Sequence, residues 1–103
     1  MTFQVRFTRE AEDDLLRLYE FILDRDPTDW AVAERALEAI RYAIIGLERS
    51  PFSYRKAIGG DSPLLREIVI PFGAAGYVAL FEIENEEQVT ILAVRHQRED
   101  DYF

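Results

Sequence analysis

Hydrophobic side chains fall at Phe3, Val5 and Phe7 with Gln4 and Arg6 between them, the period of two that buries one face of a strand. Thr8 follows as a candidate helix N-cap, and Glu10, Glu12, Asp13 and Asp14 crowd the turns behind it, where a helix dipole favours negative charge. The pattern predicts a helix over Arg9 to Arg25. Ala11, Leu15, Leu18 and Ile22 form one stripe, with Leu16, Tyr19 and Leu23 beside it, so the apolar face is wide enough to need two neighbours. Asp26-Pro27-Thr28-Asp29 separates this helix from a second, capped either by Asp26 with Pro27 in the first position or by Thr28. Trp30, Ala33, Leu37, Ile40, Ile44 and Leu47 then keep helical period until Ser50-Pro51. An αα-hairpin is expected, with Ala33, Ala36 and Ala43 small enough to let its arms approach. Gly46 costs about 1 kcal/mol relative to alanine inside a helix unless something packs against it.

From Pro51 to Pro63 the residues are turn formers without periodicity, a loop long enough to have a function. Three strand-like runs follow, Leu64 to Ile70, Tyr77 to Ile83 and Val89 to Arg95. Connections this short require antiparallel pairing. The expected architecture is therefore α+β: an N-terminal strand, an αα-hairpin and a three-stranded antiparallel meander, in a single domain over residues 1–103. The meander strands do not alternate cleanly. Tyr77, Ala79, Phe81 and Ile83 point one way and Val78 and Leu80 the other; Val89, Ile91 and Ala93 oppose Leu92 and Val94. The hairpin covers one greasy face, and the second is closed by loops and the C-terminal tail or left to a partner. Leu16, Tyr19 and Leu23 on the helix and Val78, Leu80 and Leu92 on the sheet are the candidate partner-binding residues. Self-association through the same surface is an alternative.

Composition narrows the function. Twelve basic and twenty acidic residues give a formal charge of -8, which opposes binding to polyanions at long range. No direct sequence-specific nucleic-acid binding is expected. The absence of cysteine removes disulfides and thiolate metal sites; no metal and no cofactor is expected. Neither a signal peptide nor an apolar run approaching the roughly 20 residues that span a bilayer is present, so the reading is a cytoplasmic protein with no membrane partner.

Candidate chemistry concentrates at the end, in Val94-Arg95-His96-Gln97-Arg98-Glu99-Asp100-Asp101-Tyr102-Phe103. His96, whose ordinary pKa lies near neutrality, suits a general acid or base; the alternative is a hydrogen bond to a neighbouring loop. Asp100 and Asp101 suggest a His-Asp pair, but Ser50, Ser53 and Ser62 all lie in turn-like sequence without a nucleophile signature. Arg66 stands on the Ile68 and Ile70 side of its strand and needs a partner, either an internal carboxylate or an anionic group brought by another molecule. No residue is assigned as catalytic: the chain reads as one that binds macromolecules.

The short strand, the helical hairpin, Leu47-Glu48-Arg49-Ser50-Pro51-Phe52, Leu65-Arg66-Glu67, Gly76-Tyr77-Val78 and the ending Ile91-Leu92-Ala93-Val94-Arg95-His96-Gln97-Arg98-Glu99 together resemble the RelE/ParE superfamily of bacterial type II toxins. The likeness covers nearly the whole chain, and the last segment is its most specific part. It implies an antitoxin, ParD-like for a ParE-like chain, that neutralises the toxin by wrapping it. It also implies one of two activities that the fold does not separate. RelE-like members cut messenger RNA in the ribosome, using basic residues on the sheet and often a histidine or tyrosine near the C-terminus; ParE-like members inhibit DNA gyrase and lack that cluster. Arg66 corresponds to the sheet arginine, and Arg95, His96, Arg98 and Tyr102 resemble the C-terminal group in residue type. Lys56 is the one lysine, so the basic density of the nucleases is missing. The expectation is a non-catalytic, ParE-like inhibitor of DNA gyrase, with a ribosome-dependent endoribonuclease as the alternative.

Overall fold

The computed structural model describes residues 2–57, 62–73 and 75–96. Element order is β1 (Gln4–Phe7), α1 (Arg9–Arg25), α2 (Trp30–Arg49), a 3₁₀ turn (Pro51–Ser53), β2 (Leu65–Phe72), β3 (Ala75–Ile83) and β4 (Gln88–His96). The α+β class, the hairpin and the antiparallel meander are as expected. The first strand adds a fourth member: β1 lies parallel to β4, with Gln4 opposite Gln88 and Phe7 opposite Ile91, so the sheet order is β1-β4-β3-β2. Both helices pack on one face of this sheet.

Thr8 caps α1 as its sequence position suggests, its hydroxyl accepting from the Ala11 N–H at 3.1 Å. The start of α2 differs from both sequence alternatives. Asp29 is its N-cap and makes no side-chain cap bond. Asp26 instead accepts from the Thr28 backbone N–H at 3.0 Å and from the Thr28 hydroxyl at 2.7 Å, a local Asx turn that carries the chain between the helices. Those two bonds, the hydroxyl's first, hold the Asp26 carboxyl below the ordinary aspartate range. Trp30 opens α2 on its exposed side rather than in the core, which takes Ala33, Ala36, Ile40, Ile44 and Leu47.

The core is the sandwich between the hairpin and one sheet face: Ala11, Ala36, Ile40, Ile44 and Leu47 from the helices meet Ile68, Ile70, Tyr77, Ala79, Phe81, Ile83, Val89, Ile91 and Val94. Val94 was expected on the opposite face from Ile91. A β-bulge reverses it: Leu80 pairs with Ala93 but Phe81 pairs with Ile91, leaving Leu92 as the extra residue. Beyond the bulge the inside-outside alternation flips, so Val94 and His96 share the helix side with Val89 and Ile91. β2 runs past its expected end at Ile70 and includes Pro71. Proline is tolerated there because β2 is an edge strand. The outer edge is used by Leu65 and Glu67, which pair with Ala57 and Arg55, and on the same parity the missing N–H of Pro71 falls on that edge.

Gly46 has the packing reason its helical position demands. A Cβ there would stand 2.6 Å from the Tyr54 hydroxyl. The Tyr54 ring cannot easily yield, because it meets Phe81 edge to face at 6.1 Å. Gly46→Ala therefore gains helix propensity of about 1 kcal/mol but is expected to lose more through overpacking, about 1–3 kcal/mol. Denaturant unfolding checks this: Gly46→Ala alone should unfold earlier than the wild type, and adding Tyr54→Phe, which removes the clashing oxygen, should restore the midpoint.

Candidate functional site

Two regions carry the residues singled out by the sequence. The first is an apolar groove of about 540 Å³ lined by Phe7, Leu15, Leu16, Tyr19, Leu37, Ile40, Arg41 and Ile44. It forms because α1 presents two apolar stripes and only one is consumed by the sheet. Leu16 remains 59% exposed, and Tyr19 is half-buried with its hydroxyl 3.4 Å from Glu34 on α2. Leu23 is half-buried but does not line the groove. Leu37 and Arg41 of α2 complete the wall; by sequence position alone Leu37 belongs to the core stripe and Arg41, in the C-terminal half of its helix, only suits the helix dipole, since the facing helix is what turns them into a groove.

On the far face of the sheet, Val78 is buried and Leu80 and Leu92 are half-buried. Polar contacts close part of this face. Arg6 donates to the Thr90 hydroxyl at 3.2 Å and pairs with Glu84 at 3.2 Å, and the buried Glu67 carboxylate meets Arg55 at 2.7 Å.

The second region is the end of β4. Residues 97–103, and with them Arg98, Tyr102 and the proposed His-Asp pair, lie outside the described residues. His96 faces Tyr77 edge to face, with ring centroids 5.7 Å apart. Arg95 forms an ion pair with Asp14 of α1. That carboxylate, 4% exposed, also accepts from the Val94 N–H at 2.9 Å and pairs with Arg17. Nothing in the sequence marks Asp14 out, because an acidic residue early in a helix is ordinary and its backbone partner Val94 lies 80 residues away.

Arg66 has neither of the partners considered for it. Its guanidinium donates to three main-chain carbonyls, those of Pro63 at 3.0 Å, Phe52 at 3.1 Å and Tyr54 at 2.8 Å, and lies over the Phe52 ring, 5.4 Å from its centroid. It ties the connection after α2 to the start of β2. The register separates it from the C-terminal pair: Arg66 lies level with Phe81, whereas His96 lies level with Tyr77, four residues or roughly 13 Å further along the sheet. Arg95 and His96 are consecutive on β4 and so start from opposite faces of the sheet, and Arg66 lies apart from both. Among the described residues no group of His, Cys, Asp and Glu side chains is placed to hold a metal ion, and no helix is long and apolar enough to cross a membrane.

Two helices on one face of a four-stranded sheet, with an open groove on the hairpin and an arginine beside a histidine at the end of the last strand, define a small α+β class of fold. The family model for the ParE toxin of the type II toxin-antitoxin system parDE matches residues 5–101, and the chain belongs to that family. It is similar to Toxin RelE1 of Caulobacter vibrioides, at 36% identity over 83 residues that span 81% of this chain and 82% of the relative. Among solved structures, a chain of the chromosomal ParDE system from P. aeruginosa superposes with a TM-score of 0.72 at 17% identity, covering 91% of this chain and 95% of that one, a likeness of fold. A chain of the RelBE2 toxin-antitoxin complex from Mycobacterium tuberculosis gives a TM-score of 0.58 at 26% identity, over 93% and 99% of the two chains. The protein is thus a type II toxin of the ParE/RelE superfamily.

Two stability measurements check the geometry. Arg66→Met keeps much of the apolar stem and removes the donors, and losing charge-assisted bonds to three carbonyls is expected to cost about 2 kcal/mol, a fall of roughly 8 °C or more in Tm for a domain this size. Tyr77 is buried, which raises its phenol above the ordinary 10.0. The unfolded chain releases this proton near pH 10 while the folded chain keeps it, so the contribution is intact below that pH and is lost as pH rises through the folded value. Wild type should therefore lose stability as pH rises above about 10 more steeply than Tyr77→Phe, as read by denaturant midpoints at each pH.

Proposed function

We propose that the protein is a non-catalytic toxin that inhibits DNA gyrase by binding it in the cytoplasm, and that a ParD-like antitoxin neutralises it. The observation that carries this reading is the separation of the basic residues. Arg66 is engaged by backbone carbonyls in one part of the sheet, and Arg95 is paired with a buried carboxylate in another. A nuclease needs a base for the 2′-hydroxyl and cations converging on one phosphate. Here the two arginines do not converge, and the charge of -8 works against entry among ribosomal RNA phosphates. Family membership supports the same side, whereas the similarity to Toxin RelE1 favours messenger cleavage as the second reading.

The groove on the hairpin is the proposed antitoxin seat, with Leu16 and Tyr19 in its lining and Arg41 beside them for a carboxylate on the incoming segment. Leu23, Val78, Leu80 and Leu92 extend the proposed contact where the antitoxin continues around the chain. In the free toxin a second copy competes for the same apolar surface. Arg95 and Arg98 as planar donor forks, with Tyr102 as an aromatic anchor, serve target recognition, and His96 shapes the segment.

Purified toxin assayed with gyrase on relaxed DNA, and separately with programmed ribosomes, tests the proposal. Supercoiling should stop and messenger should stay intact; His96→Gln should be mild, and Arg95→Ala with Arg98→Ala should weaken inhibition about tenfold or more. Messenger cleavage that vanishes in His96→Gln, with supercoiling untouched at saturating toxin, would establish the second reading. For the groove, Leu16→Asp should weaken antitoxin binding by at least about tenfold without lowering Tm, as calorimetric titration would report.

A further inference from the structure

We infer that Asp14 is a positioning residue for the target-recognising end of β4: from α1 it fixes Val94 and Arg95, and with them His96, without itself being presented to a target. The inference rests on the reading of Arg95 and His96 as part of the recognition segment. β1 accompanies β4 only as far as Ile91, and Thr8 takes over there, its N–H donating to the Ile91 carbonyl at 3.0 Å and its hydroxyl to the Leu92 carbonyl at 3.3 Å. From Ala93 onward, among the described residues, no strand pairs with this edge. A buried backbone N–H on such an edge must find an acceptor, and the Val94 N–H finds the Asp14 carboxylate.

The same carboxylate grips the Arg95 guanidinium, whose side chain is 19% exposed, while Arg17 pairs with its other oxygen and remains largely in solvent. An apolar residue at position 14 would leave the Val94 N–H unmatched. A buried carboxylate gains nothing from packing alone, and both of its oxygens are used. On the opposite side, β3 holds the next residue through the Tyr77–His96 ring contact. Arg95 and His96 are consequently set from two elements, and the aim of the Arg95 fork is determined on α1.

Asp14→Asn separates the two tasks, since asparagine offers an oxygen to the Val94 N–H but no charge to Arg95. In the full chain, Tm should fall because a buried ion pair is broken, while antitoxin affinity, measured well below that Tm, should stay close to wild type. The backbone order parameters of Arg95 and His96 should fall from the rigid range, about 0.85, towards 0.6, while those of β2 and β3 hold. Target inhibition should weaken about tenfold or more, and Asp14→Asn should add no further loss in an Arg95→Met background. Wild type is assayed first on supercoiling and on programmed ribosomes, and the variant ratio is taken on whichever process stops. Failure of the gyrase reading then appears in the wild type, whereas failure of the inference appears in the ratio. Unchanged order parameters at Arg95 and His96, unweakened inhibition, or equal losses in both backgrounds would each overturn the positioning role. A fall in antitoxin affinity matching the loss of inhibition would reassign Asp14 to general stability.

Discussion

The arrangement depends on the short parallel pairing between β1 and β4. Four residues of the first strand lie against the first half of the last one, so everything between them is a crossover that must pack back on the sheet, and the helical hairpin does so. Parallel neighbours need such a covering layer. Because β1 is only four residues long and β4 is nine, the second half of the β4 edge is left to α1. Thr8, which ends the strand, caps the helix and bonds to β4, and one and a half turns later Asp14 reaches the same strand. The helix thereby acts in part as the missing length of strand.

The opposite edge of the sheet is managed differently. Residues Arg55 to Ala57 pair with the first half of β2, and Arg66 clamps that segment by donating to the Phe52, Pro63 and Tyr54 carbonyls. Further along, Pro71 offers no N–H to an incoming strand, a feature that discourages edge-to-edge association. Charged residues inside this fold act mainly on backbone edges, Asp14 as an acceptor and Arg66 as a donor. Their removal would expose polar backbone, which costs more than the loss of a surface ion pair.

Local pattern carried most of the fold: the Thr8 cap, the two stripes of α1, the stripe of α2 and the three runs of the meander are all consequences of residues within a few positions of each other. What local pattern does not carry is pairing across the chain. The β1–β4 partnership joins the two ends of the sequence, and nothing in Gln4–Phe7 names its neighbour. The bulge at Leu92 is equally silent, because an apolar run such as Val89 to Val94 reads the same on both faces until register is known. Arg66 was legible as an inward cation needing a partner, yet carbonyl partners leave no mark in a sequence. Asp14 was read as one of four acids near a helix start, and its role appears only when β4 is placed beside it. At the candidate site, Leu16 and Tyr19 were legible as a surplus apolar stripe, whereas the facing wall of Leu37 and Arg41 required the hairpin geometry.

One helix therefore serves both proposed surfaces. Leu15, Leu16 and Tyr19 of α1 line the groove, and Asp14, next in sequence, is fixed to β4. For an antitoxin segment seated in the groove, neutralisation through α1 would require moving that helix relative to β4. Such a movement breaks the buried carboxylate's contacts to Val94 and Arg95, and uncoupling a buried ion pair costs about 3–5 kcal/mol. That is equivalent to a factor of 10² to 10³ or more in antitoxin affinity. Covering the proposed target-recognising segment leaves those contacts intact and carries no such cost. The energetics favour an antitoxin that first anchors on the hairpin and then extends over the end of β4, because the second contact is made at the high effective concentration that the first creates.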